Sequence, residues 1–184
     1  MLLFLYIINL LNKNGGIFVI RKANLNDVDN IMNIVKQVIV EMKDSNNTQW
    51  DENYPKAEDF INDINEGCLY VDEFEGDLIG FICINDVQPD EYKNIDWISN
   101  EDALVIHRMG VNPNYRGRGK GKNLIRYAQN LAMDNGIMYL KTDTNSMNMK
   151  MYNLFKKCGF RFAGQMEFME KPDVFYCYDL KLDI

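Results

Sequence analysis

The chain has 184 residues, of which 47% are hydrophobic, and its formal net charge at pH 7 is −7. This length suits a single domain with a sizeable core, and four prolines and twelve glycines without a low-complexity tract exclude a disordered or fibrous class. The acidic balance disfavours nucleic acid as a partner and is compatible with a cationic amine as substrate.

The four cysteines, Cys68, Cys83, Cys158 and Cys177, stand far apart in the sequence, and His107 is the only histidine. Since the chain has no Cys-x-x-Cys pair, we expect no metal site. Three of the cysteines lie in apolar runs, which is typical of reduced, buried thiols and predicts a cytoplasmic protein.

The first eleven residues are strongly apolar, but they lack the basic region and the small-residue cleavage site of a signal peptide. They are also shorter than the about 20 residues that cross a bilayer, so no membrane segment is predicted. We expect residues 1–16 to be an apolar extension and linker, and residues 17–184 to be a single domain. The extension is predicted to pack on the domain or on a second subunit, as in a homodimer, or to result from an upstream start site.

The first half of the chain predicts one strand, two helices and two strands joined by a hairpin. Asn24 or Asn26 is suited to cap the first helix, and a glycine lies in the hairpin turn. A polar segment between the two helices carries Trp50 and Tyr54, which are interpreted either as packing residues or as part of a lid over substrate. The five elements cover residues 17–21, 28–43, 56–65, 68–74 and 78–84.

A long polar connection over residues 86–100, which carries Trp97, is expected to be functional or partly structured. The second half of the chain then predicts strands at residues 103–111, 138–142, 160–165 and 174–180, and helices at 120–135 and 147–158. The element order predicts a mixed α/β fold with a mostly antiparallel sheet flanked by helices.

The stretch from Val111 to Gly121 organises the second half of the chain. An apolar run ends at Pro113, three glycines follow at every second position, and an amphipathic helix begins. Glycines let the backbone approach a ligand, and the N–H groups at a helix start bind anions. The spacing fits neither a Walker A loop nor a Gly-x-Gly-x-x-Gly dinucleotide loop, so the residues predict a phosphate or pyrophosphate site of another kind.

Arg116-x-x-Gly119-x-Gly121 after a Val-x-Pro strand end resembles the acyl-CoA pyrophosphate loop of the GNAT (general N-acetyltransferase) superfamily. A second resemblance lies on the later helix, where Asn148 occupies the family's Asn position in a register fixed by Gly159-Phe160. The resemblance implies the GNAT fold, in which the sheet splays beside the glycine-loop strand and the pantetheine of acetyl-CoA lies in the gap.

The resemblance also implies which residues hold acetyl-CoA. A backbone N–H of Met109 or Val111 would hydrogen-bond the thioester carbonyl, and Asn148 would anchor the pantetheine arm. Met151 and Phe155 fall on the family's small-residue and Tyr positions. The pyrophosphate would be held by Arg116, Gly117, Arg118, Gly119, Lys120, Gly121 and Lys122.

Phe155 departs from the family pattern, because phenylalanine cannot protonate a leaving thiolate as the family's Tyr is proposed to do. Tyr152, one turn earlier on the same helix face, is a candidate replacement; the alternative is that it only packs. We expect that the thiolate leaves unassisted or is protonated by water, since a thiol pKa near 8.5 makes it a fair leaving group.

The amine must attack as its free base, so a proton acceptor is needed. His107 is the candidate, because some GNAT members carry a histidine or an acid on this strand; the alternative is a core histidine bonded to the backbone. Strand alternation predicts that His107 shares a face with Met109 and Val111, and that Arg108 points to the opposite face. Asp96, Glu101 and Asp102 are further candidate bases.

The function expected from this resemblance is an acetyl-CoA-dependent N-acetyltransferase that moves an acetyl group to a small cationic primary amine. No cysteine is placed as a nucleophile, so direct transfer in a ternary complex is expected. The alternatives are a non-catalytic acyl-CoA-binding module, which Phe155 favours, and a protein N-terminal or lysine acetyltransferase. The candidate walls of the acceptor pocket are Trp50, Tyr54, Trp97 and Tyr178.

Overall fold

The computed structural model describes residues 10–11 and 17–183, which form an eight-stranded sheet with helices on both faces. The spatial order of the strands is β1-β2-β3-β4-β5-β6-β8-β7. The strands are β1 Leu10–Leu11, β2 Ile17–Lys22, β3 Leu69–Phe74, β4 Asp77–Asn85, β5 Leu104–Val111, β6 Tyr139–Asn145, β7 Arg161–Met166 and β8 Phe175–Lys181. The α-helices are α1 Val28–Asp44, α2 Ala57–Asn65, α3 Lys120–Asp134 and α4 Met149–Lys157.

The predicted element order is confirmed, with β1 as an addition. Every neighbouring pair of strands is antiparallel except β5 and β6, which are parallel. The long connection after β4 is partly structured, since residues Asp90–Asn94 form a 3₁₀ helix. The predictions for residues 1–9 and 12–16 lie outside the described residues, and among the described helices none is long and apolar enough to cross a membrane.

A capping box fixes the start of the 3₁₀ helix Leu25–Asp27, which leads directly into α1. The Asn24 side chain accepts a hydrogen bond from the Asn26 N–H at 3.0 Å, and the Asp27 carboxylate accepts one from the Asn24 N–H at 2.8 Å. This reciprocal pair satisfies N–H groups that lack a partner at a helix start. Of the two predicted caps, Asn24 is therefore the one observed.

Alternation along β4 builds two core layers. Ile82 and Ile84 pack with Leu124 of α3 on one face of the sheet, whereas Phe81 and Cys83 pack with α1 and α2 on the other. All four β4 side chains are at most 3% exposed. Burial of this extent on both faces explains why the strand is an almost continuous apolar run in the sequence.

A β-bulge in β5 overturns the predicted alternation around His107. Ile82 of β4 faces Met109, but Ile84 faces Ile106, so two residues of β5 stand opposite one residue of β4. Met109 and Val111 consequently pack in the same layer as Ile106. The prediction that His107 shares their face is wrong, because one inserted residue shifts the register by one.

The same bulge places Arg108 and His107 on one face of the sheet. Arg108 reaches Asp63 of α2 at 2.5 and 2.8 Å, and His107 Nε2 lies 2.7 Å from Asn85 Oδ1. Asn85 in turn contacts Cys68, which belongs to the α1 and α2 layer. The prediction that Arg108 points away from His107 is therefore also wrong.

Candidate functional site

The gap between β5 and β6 creates the candidate site. Their pairing runs only from Leu104↔Leu140 to Ile106↔Thr142, although β5 continues to Val111 and β6 to Asn145. The Thr142 hydroxyl donates to the Ile106 carbonyl at 2.9 Å, where the pairing ends. Beyond this point the two strands part, and a cavity of about 810 Å³ opens between α1, β5, α3, β6 and α4.

The glycine-rich loop forms one end of this cavity. Gly117 and Gly119 have φ values of 73° and 76°, a left-handed conformation that favours glycine. The Asn123 N–H donates to the Gly119 carbonyl at 3.0 Å. The preceding N–H groups at the start of α3 therefore have no partner within the helix, and they face the end of the cavity where an anion is expected.

Basic side chains surround the same end of the cavity. Arg116, Lys122, Lys150 and Lys157 all line it. Arg116 and Lys150 share one partner, Glu41 of α1, and the Lys150 Nζ to Glu41 distance is 2.7 Å. We call this basic end, formed by the loop, the start of α3 and helix α4, the mouth of the cavity.

Two of the predicted loop cations turn away from the mouth. The Lys120 ammonium is buried, 3.7 Å from the Asp72 carboxylate of β3 and against the Phe18 ring of β2. Arg118 lies over the Tyr115 ring at 5.7 Å and is not part of the lining. Lys120 therefore offers the cavity its backbone, while its charge is used in the core.

The free edge of β5 offers backbone donors to the gap. The Asn112 N–H donates to the Ile79 carbonyl of β4 at 2.9 Å, so it points to β4. Because successive residues of a strand point their N–H groups to opposite sides, those of Met109 and Val111 point away from β4 and into the gap. Both residues line the cavity, so their amides are suitably directed to bind a carbonyl oxygen there.

The start of α4 forms another part of the cavity wall. Asn148 is the N-cap of the helix rather than a residue of its first turn, and its side chain accepts from the Met151 N–H at 3.3 Å. Its amide also donates to Gln49 Oε1 at 3.1 Å, which ties α4 to the segment after α1. Asn148, Met151 and Phe155 all line the cavity, and that they hold acetyl-CoA stays a prediction.

Tyr152 and Tyr178 lie outside the cavity lining. Tyr152 packs against the α3 and α4 core layer, and its ring centroid is 6.5 Å from that of Tyr178. Tyr178 is 2% exposed and also contacts the Phe155 ring at 5.4 Å. The structure thus brings both tyrosines together with Phe155, but in the hydrophobic core.

The other three candidate pocket residues are separated from one another. Trp50 lines the cavity and stacks on Phe81 at 6.2 Å. The Tyr54 hydroxyl accepts a hydrogen bond from Arg108 at 3.0 Å, behind the lining. Trp97 belongs to a third hydrophobic cluster, where its Nε1 donates to the Tyr92 carbonyl at 2.8 Å. Of the predicted walls, only Trp50 reaches the cavity.

The inner end of the cavity, away from the mouth, contains His107 and Asp143. Burial, with a smaller effect of the Arg108 charge, lowers the pKa of His107 to about 4. The imidazole is therefore neutral at pH 7, and because Asn85 Oδ1 can only accept, Nε2 carries the proton. The predicted alternative bases Asp96, Glu101 and Asp102 are exposed and lie outside the lining.

Sequence reasoning missed Asp143. This residue follows the predicted strand 138–142 directly, and the observed strand β6 includes it. Its Oδ2 accepts a 2.7 Å hydrogen bond from the Tyr92 hydroxyl. Burial raises the pKa of Asp143 to about 6. The available signal was an acidic residue at the end of the strand that follows the glycine-loop helix.

Asp63, Cys68 and Cys83 form a buried cluster whose possible ligand atoms lie within 4.8 Å of one another. Both oxygens of Asp63 are bonded to the Arg108 guanidinium, and all four cysteines of the chain are free thiols. Because the carboxylate is already paired with a cation, this cluster is better suited to hold Arg108 than a metal ion.

This fold and site define an acyltransferase of mixed α/β architecture. The chain belongs to the acetyltransferase (GNAT) family, whose model matches residues 37–160. A solved GNAT acetyltransferase from Streptococcus agalactiae 2603 superposes with a TM-score of 0.79 at 25% identity, over 95% of this chain and 99% of that one. A solved structure from Staphylococcus aureus Mu50, also assigned to the acetyltransferases, is 31% identical, with a TM-score of 0.70 and coverage of 89% and 99%.

Among curated relatives, the streptothricin acetyltransferase of Streptomyces lavendulae is 27% identical over 90 residues. The match covers 49% of this chain and 42% of that enzyme. The chain thus spans less than half the length of this relative.

Proposed function

We propose that the protein is an acetyl-CoA-dependent N-acetyltransferase that moves the acetyl group directly to the primary amine of a small cationic acceptor. The observation that carries this proposal is one continuous cavity, which runs from the basic mouth to Asp143 through the gap between β5 and β6. Its volume of about 810 Å³ lies within the range of about 300–1,000 Å³ that is usual for small-molecule sites.

The donor groups of the mouth suit the pyrophosphate of acetyl-CoA. Charged donors and helix-start amides bind phosphate oxygens strongly, and Arg116, Lys122 and the first turn of α3 supply both kinds. The pantetheine arm would lie along the free edge of β5, as an added strand does. The Met109 or Val111 amide would then polarise the thioester carbonyl.

Direct transfer is supported by the residues that line the cavity. No cysteine is found among those that the structure describes, so an acyl-enzyme route has no thiol nucleophile there. The streptothricin acetyltransferase relative, whose name gives an amine-bearing acceptor, is consistent with an amine as substrate.

Release of CoA tests this proposal. The purified chain is incubated with acetyl-CoA and a panel of polyamines, amino acids, aminoglycosides and short peptides, and free thiol and acetylated product are both measured. We expect amine-dependent thiol release that matches acetylated product mole for mole. Tight binding of acetyl-CoA without product would overturn the proposal in favour of an acyl-CoA-binding module, the alternative that Phe155 favours.

A further inference from the structure

We propose that Asp143 accepts the proton of the acceptor amine, and that the preferred acceptors are ammonium compounds without a carboxylate beside the reacting nitrogen. This inference rests on the proposed function and deepens it. It assigns the proton-accepting role to a residue of the parallel strand β6 rather than to His107.

The position of Asp143 is the first reason. It is the first residue of β6 after the pairing with β5 ends at Thr142, so it stands where the two strands part. Tyr92 binds Oδ2, and within the described residues Oδ1 accepts no hydrogen bond. Among the described residues, the side-chain oxygens that are both fully buried and without a hydrogen-bond partner are Asp72 Oδ1 and the Tyr178 hydroxyl. Asp143 Oδ1 is not one of them, so it keeps some accessible surface. Asp143 therefore presents one free carboxylate oxygen to the cavity.

The surroundings of Tyr92 show that this carboxylate is held in place. Tyr92 is 2% exposed, and its ring packs on Trp97 at 4.8 Å. Its 3₁₀ helix therefore fixes the phenol against β6. A base that is fixed by a second residue keeps its free oxygen in one place, which proton transfer within a hydrogen bond requires.

The protonation behaviour of the two candidates favours Asp143. With its pKa near 6, Asp143 is ionised at pH 7.5 but holds a proton better than an exposed carboxylate does. His107, with its pKa near 4, is the weaker base of the two. The other titratable groups around Asp143 are Tyr92 and Glu91 on the 3₁₀ helix, Cys177 on β8 and Tyr54 after α1.

The charges of the cavity indicate the class of acceptor. All basic residues of its described lining belong to the glycine-rich loop, α3 and α4, and they surround the mouth. The lining residues of β5, β6 and the segment after α1 carry no positive charge at pH 7; they include Asn47, Gln49, Trp50 and Thr144, with Asp143 as their one acid. An ammonium group is favoured in such a place, whereas a carboxylate next to it would lack a positive partner and be repelled by Asp143.

The proposed step is balanced as follows. The acceptor enters as an ammonium ion and loses one proton to Asp143 Oδ1, which frees the nitrogen lone pair. That lone pair forms the C–N bond with the thioester carbonyl carbon, while the C–S bond breaks and its electrons stay on sulfur. The second nitrogen proton passes to the thiolate through water, and Asp143 releases its proton to solvent. The products are the acetamide, CoA thiol and one proton.

The pH profile of Asp143→Asn tests the role of Asp143. Wild-type kcat/KM should level off above about pH 6–7, because the enzyme uses the abundant ammonium form. The variant can use only free amine, which becomes about tenfold more abundant with each pH unit below the amine pKa. We therefore expect a loss of about 10²–10³-fold at pH 7 that shrinks steadily towards pH 9. Asp134→Asn, an exposed residue at the end of α3, is the matched control and should keep the wild-type profile.

Acceptor pairs test the predicted substrate class. Pentylamine and norleucine, and likewise mono-N-acetylcadaverine and lysine acetylated at its side-chain amine, differ by one carboxylate beside the free amine. We expect kcat/KM at least about tenfold higher for the amine without it, which corresponds to about 1.4 kcal/mol.

The outcomes separate the two proposals. Equal use of both members of a pair would overturn the substrate class. A wild-type pH profile in Asp143→Asn would overturn the role of Asp143. Failure of the wild-type chain to acetylate any amine would overturn the proposed function, and this inference with it. The affinity of Asp143→Asn for acetyl-CoA should equal that of wild type, which shows that a loss of rate does not come from misfolding.

Discussion

Arg116 of the glycine-rich loop donates a hydrogen bond to the carboxylate of Glu41 on α1. Lys150 at the start of α4 binds the same carboxylate at 2.7 Å. One acid thus joins three elements at the mouth of the cavity, in a position where an incoming phosphate would compete for the same two cations. Glu41 is therefore expected to weaken the binding of acetyl-CoA.

Glu41→Gln tests this competition. We expect the Kd for acetyl-CoA to fall by about twofold to fivefold, because partly exposed ion pairs contribute about 0.2–1 kcal/mol. Titration calorimetry at low and at physiological salt measures the change, which should be larger at low salt. Glu58→Gln on the exposed face of α2 is the matched control. A weaker affinity in Glu41→Gln would instead mean that the acid positions Arg116 for the phosphate.

The pair of Arg108 with Asp63 is expected to stabilise the fold. Asp63 is 4% exposed and receives two hydrogen bonds from the guanidinium. Asp63→Asn leaves that buried cation without its counter-charge, so the free energy of unfolding should fall by about 3 kcal/mol. Urea denaturation measures it.

Two controls belong to this experiment. The double variant Asp63→Leu with Arg108→Met removes both charges, and it should recover most of the loss. Glu52→Gln removes an exposed acid paired with Lys43 and should leave the transition unchanged. If the double variant were as unstable as Asp63→Asn, lost packing rather than an unpaired charge would be the cause.

Asp143→Asn should be more stable than wild type at neutral pH. The pKa of Asp143 is raised from 3.8 to about 6 by burial, so the folded state binds its proton more tightly than the unfolded state does. The stabilisation that Asp143 contributes to the folded state is therefore fully present below about pH 3.8 and is lost as the pH rises through about 6. Asparagine does not ionise, so the variant should gain up to about 3 kcal/mol over wild type at pH 8.

Thermal unfolding of both proteins at pH 8 and pH 4.5 measures this difference. The gain in Tm of the variant should be largest at pH 8 and much smaller at pH 4.5. An equal difference at both values would show that the side-chain change acts through packing and not through ionisation. Together with a loss of activity, the expected result would mean that the site keeps a destabilising charge for its function.

Tyr152→Phe should leave kcat within about threefold of wild type. The ring packs in the core layer and is not among the residues that line the cavity, so its hydroxyl is not expected to reach a leaving thiolate. Steady-state thiol release at saturating acetyl-CoA measures this. A fall of more than about 100-fold, the scale of a lost general acid, would contradict it and assign to Tyr152 the role that Phe155 cannot perform.

The order of helices and strands could be predicted because it depends on local patterns. Polar and apolar residues repeat with the period of a helix or a strand, and glycine, proline and asparagine mark the ends. The stretch 111–121 could be predicted as a loop at a helix start for the same reason, since its glycines and cations are neighbours in the sequence. Family membership followed from this loop and from the position of Asn148.

The inner end of the candidate site could not be predicted, because it depends on contacts between distant residues. Tyr92 and Asp143 are 51 residues apart, and nothing in either segment specifies their hydrogen bond. The bulge at His107 and Arg108 is a property of the pairing between β4 and β5. One extra residue in that pairing moves every later side chain to the other face.

The sequence by itself therefore determined the fold class and the glycine-rich mouth of the cavity, where we expect an anion to meet backbone amides and neighbouring side chains. Only the tertiary structure decided which charged side chains remain available to a ligand in the cavity. It turned Lys120 into the core beside Asp72 and placed Tyr178 among aromatic rings. It also left one oxygen of Asp143 open to the gap between β5 and β6. The physical reason is that burial and pairing, which set the charge and reach of a side chain, come from elements that are remote in the sequence.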